Sequence, residues 1–189
     1  MSRENRGEAE RIIREHIIWS VGAGLVPVPL LDIAAVSAIQ LDMLKQLATL
    51  YKVKYTESEG KVFLSAMTGS ILAKLAANAI KFIPGIGSVI GGLSMSVLSG
   101  ASTYALGQVA VNHFESNGTF SGIDFDKAKK AFEEHLEKGK EVAADLKDKK
   151  QGQSRDVFEK LEKSKELRDK GVISEDDFEA IKRKLLDEV

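Results

Sequence analysis

The chain has 189 residues, a formal net charge of −1 and no cysteine. A surface that follows nucleic-acid phosphates normally shows a clear basic excess, so this balance argues against a nucleic-acid partner. The lack of cysteine excludes disulfides, thiolate catalysis and cysteine-ligated metals. Long apolar runs lie before residue 115, and the remainder is dense in Lys, Glu and Asp. This distribution indicates one ordinary domain followed by an appendage.

Apolar residues recur at helical spacing over residues 8–25 and predict a first helix, which Pro27 and Pro29 end. The charged start and the lack of a small-residue cleavage pattern do not match a secretory signal. We therefore expect any contact with a membrane to be made from the cytoplasmic side. Two roles fit Trp19, a core residue or an interfacial anchor, and the core is favoured.

A second helix is predicted over residues 30–52, where apolar residues follow one face. Gln40 and Asp42 interrupt that surface. They are interpreted either as polar contacts inside a bundle or membrane, or as side chains that face water. The second interpretation is favoured for Asp42.

Two further helices are predicted on either side of a tight turn. A capping box of Thr56 and Glu59 begins the third helix, over residues 56–82, and the fourth covers residues 88–113. The turn between them consists of residues 83–87 and depends on Pro84, Gly85 and Gly87. Residues 82–114 hold no charged side chain when His113 is counted as neutral.

Small residues recur four apart on both of these helices, which predicts close approach of helix backbones. The residues expected to carry packing or assembly are Gly69, Ala73, Gly92, Ser96 and Gly100. The fourth helix would be about 39 Å long at 1.5 Å per residue, enough for a hydrocarbon core of about 30 Å. A membrane-inserted hairpin and a hairpin buried in a soluble bundle both fit, and the small residues favour membrane association slightly.

The predicted domains are an apolar four-helix domain over 1–121, a charged amphipathic helix over 122–149 that Asp124 caps, a polar linker over 150–155 and a helical hairpin over 156–189. Gly171 ends the first helix of the hairpin, and Ser174 with Asp177 begins the second. About 30 residues rarely bury enough surface to fold alone, so the hairpin should dock on its own chain, a copy or a partner. The residues expected to dock are Phe158, Leu161, Ile173, Phe178 and Ile181.

The search for chemistry identifies no catalytic residue, cofactor site or metal site. The glycines of residues 85–91 do not fit a Gly-x-Gly-x-x-Gly loop, and no Gly-Lys-Ser/Thr motif exists. His16, His113 and His135 are scattered, without a second ligand at metal spacing. We therefore expect that the protein is not an enzyme.

Two stretches resemble known families. The first resemblance rests on Pro27-x-Pro29-x-x-Asp32, Gln40-Leu41-Asp42-Met43, Leu50-Tyr51, Ile83-Pro84-Gly85-x-Gly87 and Thr103-Tyr104-Ala105-Leu106-Gly107. These motifs, within residues 10–115, resemble the bacterial YcjF-like domain of unknown function. That family occurs alone or behind Era-like GTPase domains and is often described as membrane-associated. The resemblance implies a separate GTPase as a partner, because this chain has no GTPase domain.

The second resemblance covers residues 156–187. Its residues are Leu161, Leu167-Arg168-Asp169-Lys170-Gly171-Val172-Ile173-Ser174-Glu175-Asp176-Asp177-Phe178-Glu179 and Lys184-Leu185-Leu186. They resemble the bacterial short C-terminal domain, which ends many unrelated proteins. The resemblance implies a role in oligomerisation or interaction, and it brings no catalytic residue.

Taken together, the sequence predicts an all-α protein built on a Gly/Ser/Ala-rich apolar hairpin. Its expected function is non-enzymatic: membrane association or self-assembly, with partners recruited by the C-terminal hairpin. The expected partners are a second copy, membrane lipid and a GTPase, at the cytoplasmic side of a bacterial inner membrane or in the cytoplasm. The rivals are a soluble adaptor that works with a GTPase and a conditional pore-forming or bilayer-perturbing protein.

Overall fold

A computed structural model describes residues 3–23, 29–79, 89–90, 93–116, 118–172 and 174–186. Its helices are α1 (Arg3–Ala23), α2 (Pro29–Leu50), α3 (Glu57–Ala79), α4 (Met95–Glu115), α5 (Phe125–Asp169) and α6 (Glu175–Leu186). A 3-10 turn covers Phe120–Gly122, and two short strands, β1 (Val89–Ile90) and β2 (Leu93–Ser94), pair antiparallel. The predicted all-α helical bundle is confirmed.

The chain divides into two compact units, Met1–Asp145 (unit 1) and Leu146–Val189 (unit 2). The predicted polar linker at 150–155 is wrong, because those residues are helical and belong to α5. Four of the six residues are Lys, Gln or Arg, which are good helix formers, and the single Gly152 costs only about 1 kcal/mol in a helix interior.

The fourth helix begins seven residues later than predicted. Residues 88–94 were expected to be its first two turns, but Val89–Ile90 and Leu93–Ser94 form the two short strands, with Val89 opposite Ser94. The sequence between the strands is Gly91-Gly92, a dipeptide that two-residue hairpin loops favour. β-Branched Val89 and Ile90 also favour a strand over a helix.

The centre of unit 1 is α4. Residues from Ser96 to Val111 are almost all buried, because α1 and α2 cover this helix along its length. α1 and α4 run antiparallel, since Arg6 reaches Glu115 while Val21 reaches Ser96. The largest buried apolar side chains of the three helices include Ile13, Ile17, Met43, Leu44, Leu47 and Leu106.

An aromatic cluster closes one end of unit 1. The ring of Phe120, in the 3-10 turn, lies 5.2 Å from Phe114, 5.9 Å from Phe63 and 5.7 Å from Tyr55, each in an edge-to-face arrangement. Such pairs contribute about 0.5–1.5 kcal/mol beyond their buried area. The turn after α4 is thereby fixed against α3.

The predicted helix caps are present. The Glu59 amide donates to Thr56 Oγ1 at 3.3 Å, and the Thr56 hydroxyl donates to the Glu59 carboxylate at 2.6 Å. At the start of α5, the Lys127 amide donates to Asp124 Oδ1 at 3.2 Å. These bonds satisfy amides that the first turn of a helix leaves without partners, and they confirm the predicted starts of α3 and α5.

Candidate functional site

Three small residues let α4 approach its neighbours closely. A Cβ added at Gly100 would lie 2.7 Å from Val21 Cγ2 and 2.8 Å from Ala143 Cβ. A Cβ added at Gly107 would lie 2.7 Å from Ile13 Cγ1. The Ser96 hydroxyl donates to the backbone carbonyl of Val21 at 2.9 Å. The close helix approach expected of Ser96 and Gly100 therefore exists, and its partners are helices of the same chain.

The small residues of α3 do not take part in that contact. Ser65 and Gly69 are exposed, and a Cβ added at Gly69 would meet no atom within 4 Å. Within the chain, Gly69 therefore does not pack on α4, and its predicted role in assembly stays a prediction. α4 packs mainly on α1, and its contacts with α3 are few.

Several predicted residues cannot be compared with the structure. Gly92, Pro84, Gly85 and Gly87 lie outside the described residues, as does the side chain of Ala73 in α3. Their predicted roles stay predictions.

The sequence analysis missed two further close contacts. Gly107 extends the small face of α4 to positions 96, 100 and 107, a spacing of four and seven residues that a helical-wheel search would find. Gly139 of α5 faces the backbone of α4, since an added Cβ would lie 2.7 Å from the carbonyl oxygen of Ala101 and 3.1 Å from the Tyr104 ring. Ala143 follows Gly139 by four residues and also contacts α4, so a search for small residues four apart along α5 would find this pair.

A polar cluster lies inside the bundle where α1, α2 and α4 meet; we call it the polar core, and it consists of Ser20, Gln40, Ser102 and Thr103. Gln40 Nε2 donates to Ser102 Oγ at 3.2 Å and to Thr103 Oγ1 at 3.1 Å. The single hydroxyl proton of Thr103 is used on the Ser99 carbonyl at 2.9 Å. Ser20, 2.8 Å from Thr103 Oγ1, is therefore the donor in that pair.

The polar core settles one of the open interpretations of α2. Gln40 is 3% exposed, so its prediction as a polar contact inside the bundle is confirmed. Among the described residues, every buried side-chain nitrogen and oxygen has a hydrogen-bond partner. Buried polar groups that hydrogen-bond to one another determine which helices pack together and which positions along them meet.

His16 and Asp42 form a second polar contact between α1 and α2. His16 is fully buried, and its ring nitrogens lie 2.7 Å from the Ile12 carbonyl oxygen and 3.1 Å from Asp42 Oδ2. The His16 hydrogen bond lowers the pKa of Asp42 most, burial raises it, and a bond from Gln46 at 2.8 Å lowers it further. Asp42 was expected to face water. It is half exposed, and its carboxylate also contacts His16 of α1.

Trp19 corrects another expectation. The sequence favours a core position, but Trp19 is 50% exposed, while its ring edge contacts the His16 ring at a centroid distance of 4.7 Å. The helical register explains this result. His16, Ile17 and Ser20 occupy the buried face of α1, which leaves position 19 at its border.

Arg6 connects the start of α1 with the end of α4. Its guanidinium donates to Asn112 Oδ1 at 3.1 Å, Gln108 Oε1 at 3.1 Å and Glu115 Oε2 at 2.8 Å. The amide of Gln108 in turn donates to both carboxylate oxygens of Glu10 at 3.0 Å. The sequence analysis did not identify this network, because its members lie more than 90 positions apart.

Tyr51 extends the network to the end of α2. Its hydroxyl donates to Glu115 Oε1 at 3.0 Å. Burial, followed by the bond to Glu115, raises the pKa of Tyr51 to about 12. The phenol is therefore held in its neutral form, as a hydrogen-bond donor.

An open cleft of about 350 Å³ lies between α3, α4 and the start of α5. Its lining includes Phe63, Val109, Ile123 and Ala128. The polar groups at its rim are already bound within the chain: His113 Nε2 lies 2.9 Å from the Thr119 carbonyl oxygen. Within the described part of the chain, no group of three or more His, Asp or Glu residues is arranged to hold a metal ion.

Unit 2 contains the C-terminal helical hairpin. Gly171, at a φ of +70°, follows the end of α5, and Ser174 with Asp177 caps α6: the Asp177 amide donates to Ser174 Oγ at 3.2 Å, and the Ser174 amide donates to Asp177 Oδ2 at 3.1 Å. These contacts confirm the predicted stop and start. The guanidinium of Arg168 lies over the Phe178 ring, 4.6 Å from its centre.

The predicted docking residues of unit 2 are only partly available. Leu161, Phe178 and Ile181 are half-buried, because they also contribute to packing within the chain. Ile173 and the side chain of Phe158 lie outside the described residues. Among the described side chains of unit 2, Val172 is a large apolar one that is open to solvent, at 66% exposure.

None of the helices that the structure describes combines the length and apolar content needed to cross a membrane.

Sequence comparison identifies a relative and two family models that match this chain. A relative, Magnetosome membrane protein 22 of Magnetospirillum gryphiswaldense, is 38% identical over 148 residues, which cover 76% of each chain. No solved structure matches. The sequence model of the family described as Domain of unknown function (DUF697) matches residues 1–141, and that of the Short C-terminal domain matches residues 159–186. The narrower YcjF-like assignment stays a prediction. The chain therefore belongs to the DUF697 family.

Proposed function

We propose that this protein is a non-enzymatic component of a membrane surface. Unit 1 contacts the lipid, and the C-terminal hairpin binds a second copy or a partner. One observation carries the proposal: a relative that is 38% identical over 76% of both chains is named a membrane protein. The geometry of unit 1 supports a specific way of making that contact.

The contact is expected at the outer surface of unit 1, because α4, which has no Asp, Glu, Lys or Arg before Glu115, is already covered. Its polar groups find their partners on α1 and α2, and its small residues contact α1 and α5. Among the described side chains of unit 1, two large apolar ones are open to solvent, Trp19 at 50% and Val62 at 58%. Tryptophan favours the layer between lipid headgroups and acyl chains, since its ring is apolar and its N–H is polar.

The buried arrangement of the polar groups supports a non-enzymatic role. The His16–Asp42 pair resembles a catalytic acid–base pair, because an imidazole nitrogen lies 3.1 Å from a carboxylate oxygen. Its imidazole is fully buried between helices, with both nitrogens bound inside the protein. A general base must reach the proton of a substrate, and no substrate can approach this ring.

The experiment is flotation of the full chain with vesicles of phosphatidylethanolamine and phosphatidylglycerol. The wild-type protein should float with the vesicles. Trp19→Ser removes the exposed half of an indole, about 100 Å² or about 2.5 kcal/mol, so its vesicle affinity should fall more than ten-fold. Val172→Ser is the matched control in unit 2 and should float like the wild type.

Circular dichroism verifies that both variants are folded, and carbonate washing of cell membranes tests the same contact in cells. A wild-type chain that stays at the bottom of the gradient would refute membrane association. Equal flotation of wild type and Trp19→Ser would refute the contact through α1 while leaving association itself intact.

The proposed role of unit 2 has its own test. Val172→Asp places a charge at the exposed position of the hairpin, beside the half-buried apolar residues of α6. If copies meet through this hairpin, light scattering after gel filtration should show a lower mass for the variant than for the wild type. Equal masses would show that copies do not meet there.

A further inference from the structure

The outward face of α2 changes from apolar to polar along its length. Among the described side chains of α2, the exposed ones before Asp42 are all alanines: Ala34, Ala35 and Ala38. From Asp42 onward the exposed positions are polar or charged: Asp42, Lys45 and Thr49. Positions 38, 42, 45 and 49 follow one another at intervals of three or four residues, so they lie on one face of the helix. Asp42 therefore marks a border on that face.

α1 changes in the same way and at the same level. Its charged residues end at Glu15, and the accessible positions beyond it are Ile18, Trp19 and Gly22. His16, the next residue, lies 3.1 Å from Asp42, so the charged parts of the two helices end side by side. Ser20 and Gln40 share a hydrogen-bond partner on α4, which shows that the apolar parts continue side by side.

Trp19 and the alanines of α2 lie on the same side of this helix pair. The edge of the Trp19 ring contacts the His16 ring at a centroid distance of 4.7 Å, and a nitrogen of that ring contacts the half-exposed Asp42. Asp42 in turn lies on the same face of α2 as Ala38. We call this apolar surface the α1–α2 face, and it consists of Trp19, Ala34, Ala35, Ala38 and Ile39.

We infer that the α1–α2 face enters the acyl-chain layer of a membrane without recognising the charge of the headgroups. This inference rests on the proposed function, because it names the part of the lipid that unit 1 contacts. Membrane binding of an amphipathic surface has two sources, the apolar area that is buried and the attraction of cations to anionic headgroups. Residues 16–41 hold no Lys or Arg, so the face offers the first source alone. Asp32 is the one acidic residue of that stretch, and its side chain lies outside the described residues.

The charges that border the α1–α2 face are of both signs. Glu15 is paired with Arg11 at 2.7 Å, and Asp42 is followed on its face by Lys45. Arg14 adds one further cation. Recognition of anionic lipid by charge uses clusters of about 4–8 Lys or Arg. This border therefore keeps one end of the face in water without selecting a headgroup.

The first experiment compares vesicles of phosphatidylcholine alone with vesicles that also contain phosphatidylglycerol. The full chain is used, at about 0.1 M and about 1 M salt, because the Debye length falls from about 10 Å to about 3 Å between them. The affinities should differ by less than about five-fold, which is the change that a single Lys or Arg at an anionic surface produces.

The second experiment measures how deep the face lies. Trp19 is the single tryptophan of the chain, so the emission of the protein reports on this face. Phosphatidylcholine that is brominated on its acyl chains quenches an indole only where the ring reaches those chains. Emission should therefore be lost in brominated vesicles and kept in unbrominated ones.

Two variants of α2 locate the contact. Ala38→Glu places a carboxylate on the α1–α2 face, and Thr49→Glu places the same charge on the same side of α2, eleven residues or about three turns away. Ala38→Glu should lower the affinity for phosphatidylcholine vesicles at least about ten-fold, because a carboxylate resists transfer into an apolar layer. Thr49→Glu should bind like the wild type. Circular dichroism verifies that both variants are folded.

Several results would overturn the inference. Binding that requires phosphatidylglycerol, or that salt abolishes, would show recognition by charge, and the proposed membrane association would still stand. Equal affinities of Ala38→Glu and Thr49→Glu would place the contact elsewhere. A lower mass of Ala38→Glu than of Thr49→Glu in light scattering without lipid would assign the face to a second copy.

Failure of the proposed function has a different outcome, since a wild-type chain that binds neither kind of vesicle would refute both. Should Ala38→Glu fail to fold, the comparison of vesicles and the quenching of Trp19 decide the matter with the wild type alone.

Discussion

Gly100 and Gly69 form a matched pair for testing how α4 is packed. Both are interior glycines of helices, in α4 and α3 respectively. A Cβ at Gly69 would enter open space, whereas a Cβ at Gly100 would lie 2.7 Å from Val21 Cγ2 and 2.8 Å from Ala143 Cβ. Real Cβ atoms do not approach heavy atoms that closely. The substitution Gly100→Ala therefore requires helices to move.

The expected difference between the two alanine variants can be estimated. Replacing glycine by alanine inside a helix stabilises it by about 1 kcal/mol at either site. Forcing a methyl group into a packed core costs about 1–3 kcal/mol. Gly69→Ala should thus stabilise the protein, and Gly100→Ala should leave it unchanged or destabilise it by up to about 2 kcal/mol. The gain from helix propensity is the same in both variants, so their free energies of unfolding should differ by about 1–3 kcal/mol.

The assay is thermal unfolding of both variants and the wild type, followed by far-ultraviolet circular dichroism. In a protein of this size about 1 kcal/mol corresponds to about 2–4 °C in Tm. Gly69→Ala should melt above the wild type, and the two variants should differ by about 2–12 °C. If Gly100→Ala gains as much as Gly69→Ala, the close approach of α1, α4 and α5 at this level does not exist.

Three other predictions concern single contacts. Gly139→Ala should destabilise the protein by at least as much as Gly100→Ala in the same melt, because the atom it meets is the backbone oxygen of Ala101. Ser174→Ala removes the cap of α6 and should cost about 0.5–2 kcal/mol, measured as faster amide exchange in that helix. Folding favours neutral Tyr51, whose stabilisation is complete below pH 10 and lost as the pH rises through about 12. Absorbance at 295 nm should therefore show a late step that Tyr51→Phe removes.

Local motifs in the sequence were sufficient to predict where several helices begin or end. The capping box of Thr56, the cap of Asp124 and the Gly171–Ser174 stop and start are each determined within four residues, and all are present. In such motifs a side chain forms a hydrogen bond with a backbone group that is nearby in the chain, so the motif does not depend on tertiary contacts. The prediction of a linker at 150–155 was wrong, because it depended on composition rather than on a local capping motif. Its polar composition fits an exposed helix as well as a coil.

The partner of each small face could not be predicted. A row of small residues shows that something approaches closely, but it does not identify the neighbour. In the structure, Ser96 contacts α1, Gly100 contacts both α1 and α5, and Gly69 is exposed. Deciding this needs contacts across the whole domain, such as that of Arg6 with Glu115. The same limit applies to Trp19, since half-exposure depends on which neighbours cover α1.

The polar residues of α4 explain why a helix with no Asp, Glu, Lys or Arg before Glu115 lies inside a protein bundle. Thr103 could bind its own helix backbone in a lipid environment, as it does here through the Ser99 carbonyl. Gln108 cannot satisfy its amide in that way, and it meets Arg6 and Glu10 on α1. Amide groups matched across helices are the sign of protein neighbours, because lipid offers no partner. Under the proposed function, lipid contact is made by the outer surface of unit 1. Substitutions at Trp19 should therefore lower lipid binding more than substitutions at other positions that leave the α4 contacts intact.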